Sequence, residues 1–188
     1  MNLPVRFVQQ WSLDPICRRC SRRVRAFDAA FVPYRYEFPL PELIHRMKYR
    51  GVLPITRILG CVLGRRLAER GAAQVDAIVP VPLSVKREYR RGYNQAREIA
   101  VFAARELGLP VHDRLARRIR ETAEQAGLTA GARRRNLRGA FMVKSGDVPA
   151  RVAIVDDVLT TGATAEALAL ALRLAGCRRI EVWAVARA

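Results

Sequence analysis

Lysine is almost missing from this strongly basic chain. Of its 34 Lys and Arg residues, set against 17 Asp and Glu, only Lys48, Lys86 and Lys144 are lysine, so arginine carries the formal net charge of +17. Composition alone leaves two readings of that charge open. One is a solvated cationic surface; the other is attraction for polyanions such as nucleic acid or phosphorylated metabolites. Long apolar runs are also missing. None approaches the ~20 residues of a membrane-spanning helix, which excludes insertion by that route. The most apolar stretch ahead of the C-terminal part, residues 58–64, is hemmed in by Arg57, Arg65 and Arg66. Residues 1–11 contain neither a continuous apolar segment nor a small-residue cleavage site, so no secretory signal is expected and a cytoplasmic location follows. Cysteine is scarce: Cys17, Cys20, Cys61 and Cys177. Without an export signal these favour free thiols or metal over disulfides.

What is present suffices for one domain with a short appendage. The chain has 188 residues, half of them apolar, which excludes wholesale disorder. Residues 1–30 stand apart, with few strand signals, a basic cluster (Arg18, Arg19, Arg22, Arg23, Arg25) and Cys17-x-x-Cys20; residues 31–188 form the main domain. A helix is predicted from Glu42 to Gly51, with Leu43, Ile44 and Met47 on one face. A second runs from Pro54 to about Arg70. Asp76–Pro82 reads as a buried strand entering a proline-bounded loop, and Asn94–Leu107 as a helix capped by Gly108. A short strand is expected at Leu109–Val111, then a highly basic segment from Arg114 to Arg138 and a brief strand at Ala140–Val143. Arg151–Val155 has the unbroken apolar pattern of a parallel strand covered on both faces. A helix over Thr164–Ala175 and a strand over Ile180–Val185 complete an α/β alternation, and thus a mostly parallel, doubly wound sheet.

The most informative stretch joins a strand to a helix. An apolar run ends in Asp156 and Asp157, and the turn Thr160-Thr161-Gly162-Ala163-Thr164 opens directly into the next helix. Such a turn offers backbone amides, hydroxyls and a helix N-terminus to a phosphate, with Gly162 allowing close approach. Two carboxylates do not bind that phosphate themselves. They suit the hydroxyls of an attached sugar, or a divalent cation chelated by the ligand. The plainer reading is that the acids merely complement the N-terminus of the following helix. Nucleotide loops of the Gly-Lys-Ser/Thr or G-x-G-x-x-G kind are absent. A second loop, Pro82-Leu83-Ser84-Val85, ends the earlier strand and is followed by Lys86, Arg87, Arg90 and Arg91, a cationic edge suited to a diphosphate. The Val81–Pro82 bond is a candidate for the cis form.

These segments resemble the ComF/GntX family of type I phosphoribosyltransferase-like proteins, named for competence and gluconate phenotypes. The match is carried by Val79–Leu83 running to Arg91-Gly92-Tyr93-Asn94-Gln95, and by Arg118-x-Arg120-x-Thr122-x-x-Gln125-x-x-Leu128 with Arg133-x-x-Asn136 and Gly139-Ala140-Phe141. Asp156-Asp157 through Thr164 is the third segment. A weaker fourth runs from Tyr34-x-Tyr36 through Leu43-Ile44 to Lys48-Tyr49, and the whole covers about residues 17–187. The middle motif is the specific one.

The resemblance implies a site for Mg²⁺–phosphoribosyl pyrophosphate. Asp156 and Asp157 would be the catalytic acids on the ribose diol, and Thr160, Thr161, Gly162, Ala163 and Thr164 the 5-phosphate loop. Pro82, Leu83, Ser84, Val85, Arg87 and Arg91 would hold pyrophosphate. A mobile lid over about 119–139 would bring in Arg118, Arg120, Gln125, Arg133 and Asn136, with Tyr34, Tyr36 and Lys48 as hood residues over the acceptor. The family usually carries two Cys-x-x-Cys pairs on a zinc knuckle. Cys17 and Cys20 are only half of a four-ligand site, so no zinc is expected in a single chain; a start further upstream, an ion shared by two chains of a homodimer, or loss of the knuckle are the alternatives. Cys61 and Cys177 read as core residues. Two functions follow: phosphoribosyl transfer to a nitrogen acceptor, or a non-catalytic competence accessory that binds phosphoribosyl pyrophosphate and contacts single-stranded DNA or DNA-uptake proteins.

Overall fold

The computed structural model describes residues 6–8, 25–71, 74–120, 139–144 and 146–188. Its centre is the pair β7 (Arg151–Leu159) and β8 (Arg179–Arg187), two parallel strands. β8 is buried without a break from Ile180 to Ala186, as expected of a strand covered on both faces. Its one acid, Glu181, is only 4% exposed. That carboxylate meets the Arg179 guanidinium at 3.1 Å and accepts the Trp183 indole N–H at 3.0 Å. β4 (Ala77–Pro80) lies parallel on the far side of β7. β2 (Ala29–Phe31) pairs with the start of β8 and the short β3 (Tyr34–Arg35) with its end. β1 (Arg6–Val8), from the segment set apart in the sequence, adds an outer parallel strand beside β2.

Helices cover both faces of this parallel sheet. On one face lie α1 (Leu40–Arg50), α2 (Leu53–Glu69) and α4 (Gln95–Leu107), which bury Ile44, Met47, Leu63 and Ile99 against Ile78, Val155, Trp183 and Val185. α2 and α4 approach closely because Gly60 and Gly64 present bare backbone to Ile99, Phe102 and Ala103. On the other face α5 (Ala163–Leu174) packs Leu168 and Leu172 over Val152, Ile154, Ile180 and Val182. An antiparallel ribbon, β5 (Ala116–Arg118) with β6 (Phe141–Val143), completes that layer through Ala116 and Phe141. No helix among the described residues is long and apolar enough to cross a membrane.

The predicted elements recur with shifted boundaries, and three differences have clear causes. The strand expected at Leu109–Val111 is a single bridge from Val111 to Ile78, because Pro110 has no N–H to continue a ladder. β5 was hidden in the basic segment; its alternation of buried Ala116 and Arg118 with exposed Arg117 is only three residues long. Residues 85–91, read as the end of a loop, form the short helix α3 (Val85–Arg91), stopped by Gly92 at φ 77°. The cis peptide among the described residues is Phe38–Pro39, so the Val81–Pro82 candidate is corrected to trans.

Candidate functional site

β7 runs past its apolar core and carries Asp156 and Asp157 within its last residues, at the C-terminal edge of the sheet. Open parallel sheets bind ligands at this edge. The chain then turns through Thr160 and Thr161 to Gly162, which is the N-cap of α5 in the left-handed region at φ 76°. Behind the turn, Arg25 donates to Thr161 O at 3.5 Å and pairs with Glu166 at 3.4 Å. The Thr161 hydroxyl accepts the Ala163 amide at 3.4 Å, so this threonine steadies the turn rather than the cleft.

The opposite wall is built from the exit of β4. Val81 extends the ladder by donating its N–H to Val155 O at 2.9 Å. The stretch from Arg91 to Gln95 then works as a bracket. Tyr93 donates its hydroxyl to Met47 O at the end of α1. Asn94 caps α4 and reaches back to Val81 O at 3.0 Å. Gln95 accepts from the Arg91 guanidinium at 3.0 Å, and that guanidinium also lies over the Tyr49 ring, 5.6 Å from its centroid.

Between these walls is a cleft of about 290 Å³. Its lining brings together Leu83, Arg87, Arg91, Arg118, Asp156, Asp157, Thr160 and Thr164, all singled out in the sequence, with Lys48 from the expected hood. Four cationic side chains thus face two carboxylates. Pro82, Ser84, Val85, Thr161, Gly162, Ala163 and Arg120 do not line it, although Gly162 and Thr161 shape its turn. Gln125, Arg133, Asn136, Cys17 and Cys20 lie outside the described residues, as does most of the span 119–139. Arg118, grouped with the lid in the sequence, is instead a residue of β5, 9% exposed, with its guanidinium over the Phe141 ring at 5.6 Å. It belongs to the fixed wall. Tyr34 and Tyr36 do not line the cleft, whereas Tyr49, Gln95, Val81 and Val158 do without having been assigned a role there. Adjacency of Tyr49 to Lys48, and of Gln95 to Arg91-Gly92-Tyr93-Asn94, was the available signal.

The charges of the site are held far from their behaviour in water. Burial, together with the neighbouring charge of Asp157, pushes the Asp156 carboxyl up to about 8. Lys48 Nζ lies 2.5 Å from Asp157 Oδ2. Burial works against the Lys48 charge, but the Asp157 carboxylate outweighs it and holds the ammonium above the ordinary lysine range. Burial and then the charge of Arg87 pull the Arg118 guanidinium down to about 10. Burial thus disfavours the charge of Asp156 and of Arg118, while the Lys48–Asp157 pair keeps its charges. Among the described residues no group of three or more His, Cys, Asp or Glu side chains is placed to hold a metal ion.

Competence protein F of Haemophilus influenzae is 38% identical over 181 residues, covering 92% of this chain and 78% of that protein. The chain belongs to the ComF family. Other ComF relatives include the DNA utilization protein YhgH of Escherichia coli K12, 33% identical over 91% of this chain and 77% of its own, and competence protein ComFC of Bacillus subtilis, 28% identical over 81% and 64%. No protein-family model matches the chain. The solved structure of TT1426 from Thermus thermophilus covers 69% of this ComF chain and 72% of its own at 21% identity, with a TM-score of 0.39.

Proposed function

We propose that the cleft binds Mg²⁺–phosphoribosyl pyrophosphate and that this ComF protein, with a type I phosphoribosyltransferase-like fold, transfers the phosphoribosyl group to a nitrogen acceptor. The observation that carries the reading is the convergence, in one cleft, of two carboxylates at a strand end, threonines of a turn that opens a helix, and three arginines. The parts match the parts of the ligand. The turn around Gly162 and the N-terminus of α5 suit a terminal phosphate, with Thr160 and Thr164 as hydroxyl donors. Asp156 and Asp157 suit the vicinal hydroxyls of a pentose. Burial disfavours the charge of Asp156, so hydroxyl donors would satisfy a carboxylate that the protein leaves strained. Arg87 and Arg91, beside the loop from Pro82 to Val85, suit a diphosphate.

In this reading the C1–O bond to pyrophosphate breaks, its electron pair leaves with pyrophosphate, and a C1–N bond forms as the acceptor nitrogen gives its proton to the departing pyrophosphate. Bound to the diphosphate as part of the substrate, Mg²⁺ would supply neutralisation of its charge. The chain itself contributes orientation: it holds the 5-phosphate and diol on one side of C1 and the leaving group on the other. Arg87, Arg91 and Arg118 stabilise the charge that develops on the departing diphosphate.

Titration calorimetry with Mg²⁺–phosphoribosyl pyrophosphate tests the pocket. The wild type is expected to bind, and an Asp156→Asn/Asp157→Asn variant to fold but bind far more weakly; unchanged affinity in that variant removes the assigned roles. Release of pyrophosphate with a panel of nitrogenous bases then tests turnover.

The names of the relatives favour a second reading, in which the protein binds the same ligand without turnover and serves DNA use through single-stranded DNA or DNA-uptake partners. Single-stranded DNA would then bind with a log–log salt slope of about −0.7 per phosphate contacted. Affinity independent of salt would exclude it.

A further inference from the structure

In sequence Asp156 and Asp157 are an equal pair; in the fold their surroundings differ. Asp157 is 4% exposed, and its Oδ2 faces the Lys48 ammonium across the cleft at 2.5 Å. Asp156 is half-buried, and its Oδ1 accepts the Asp157 amide N–H at 2.9 Å. Both residues line the cleft.

Lys48 does not arrive by chance of rotamer. It stands in the last turn of α1, and the carbonyl of the residue before it, Met47, accepts the Tyr93 hydroxyl. The bracket that shapes the β4 side of the cleft therefore also fixes the end of α1 over β7. The pair is largely out of water, with side-chain exposures of 23% for Lys48 and 6% for Asp157. In such a setting, removing one partner strands a buried charge, whereas removing both costs far less. An ammonium is also a stronger partner for a carboxylate than a neutral sugar hydroxyl. A carboxylate whose charge Lys48 already balances gains less from a neutral hydroxyl than Asp156 does.

We propose that Lys48 is a positioning residue: its ammonium neutralises Asp157 and leaves the Asp156 carboxyl group as the one presented to the hydroxyls of a ligand. The proposal rests on the pentose-phosphate reading of the cleft and divides the labour within it. Lys48 acts through Asp157, not on the ligand. Without it Asp157 would be left as a buried, unneutralised charge beside Asp156.

The scarcity of lysine makes the ion pair directly observable in the full chain. Lys86 and Lys144 are exposed, so Lys48 alone has a sheltered ammonium. Proton–nitrogen NMR of lysine ammonium groups at mildly acidic pH and low temperature is expected to show one slowly exchanging Nζ resonance, kept in Lys86→Arg and lost in both Lys48→Arg and Asp157→Asn. Its absence from the wild type, or its survival in Asp157→Asn, overturns the proposal. Calorimetry with ribose 5-phosphate gives the functional arm. Lys48→Arg is expected to stay near wild-type affinity and Lys48→Met to lose about tenfold, the worth of one charge-assisted contact. In an Asp157→Asn background Lys48→Met should cost nothing further. An undiminished loss in that background means that Lys48 touches the ligand itself, and the proposal falls. A wild type that binds neither ribose 5-phosphate nor Mg²⁺–phosphoribosyl pyrophosphate overturns the pentose-phosphate reading instead, and shows as a failure common to every variant. Intact wild-type binding with additive variants overturns this proposal alone.

Discussion

One side chain, that of Asn94, ties the start of α4 to Val81 at the exit of β4. The Asn94 amide donates to Val81 O at 3.0 Å, while its Oδ1 accepts from the Ala96 and Arg97 amides at 3.0 and 3.3 Å. The residue caps α4 and anchors the chain as it leaves β4. Asn94→Ala removes the cap and strands the Val81 carbonyl, and is expected to lower stability by about 1–3 kcal/mol. Asn94→Asp keeps the cap and loses only the donor, so it should fall between. Urea unfolding of both variants checks this; equal stabilities would show that the bridge to Val81 contributes nothing.

The close approach of α2 and α4 depends on two missing side chains. A Cβ at Gly60 would lie 2.6 Å from Phe102 Cβ and 2.7 Å from Ile99 O, and at Gly64 3.0 Å from the Ala103 backbone. Alanine is ordinarily the better helix former by about 1 kcal/mol. Gly60→Ala should nevertheless destabilise, by about 1–3 kcal/mol, because the backbone of Ile99 has to move. Thermal denaturation of Gly60→Ala decides between propensity and packing.

Stability should depend on pH through Asp156. Burial and the charge of Asp157 raise its carboxyl from 3.8 to about 8, so between those values the folded chain holds a proton that the unfolded chain has released. The contribution is fully present below about pH 4 and is lost as pH rises through 8. In Asp156→Asn that fall should be missing. Urea midpoints of wild type and variant at pH 5 and pH 8 test the sign; a wild-type midpoint that rises over this window relative to the variant would contradict it.

Gly162 sits in the left-handed region, and a Cβ there would come 3.3 Å from Arg25 Nη1. Gly162→Ala is expected to cost about 1–2 kcal/mol in stability from the backbone conformation alone. Because the same turn opens α5 toward the cleft, affinity for Mg²⁺–phosphoribosyl pyrophosphate should drop more steeply than stability does. Equal affinity in wild type and variant would remove the turn from the binding site.

The order strand, acids, turn, helix could be read from residues 151–175 because each step is local. Apolar β-branched residues make a buried strand, Gly162 permits the left-handed turn, and the Ala/Leu repeat makes a helix. The same is true of α1, α4 and β8, whose periodicities and glycine stops stand in the chain itself. The arrangement of Arg91 to Gln95 was legible as a motif but not in its work, since Tyr93 and Asn94 spend their hydrogen bonds on Met47 and Val81 rather than on a ligand. Arg118 reads as part of the lid motif until β5 turns it inward over Phe141.

Residue chemistry along the chain therefore dictated the α/β alternation, the carboxylate pair and the glycine-containing turn into α5, because short-range patterns suffice for them. Which carboxylate meets Lys48, which arginines face one cleft, and which helices close over the strand ends were decided by packing. Those contacts join residues far apart in sequence, where no spacing encodes the distance, and only burial of two apolar faces against one sheet brings them together.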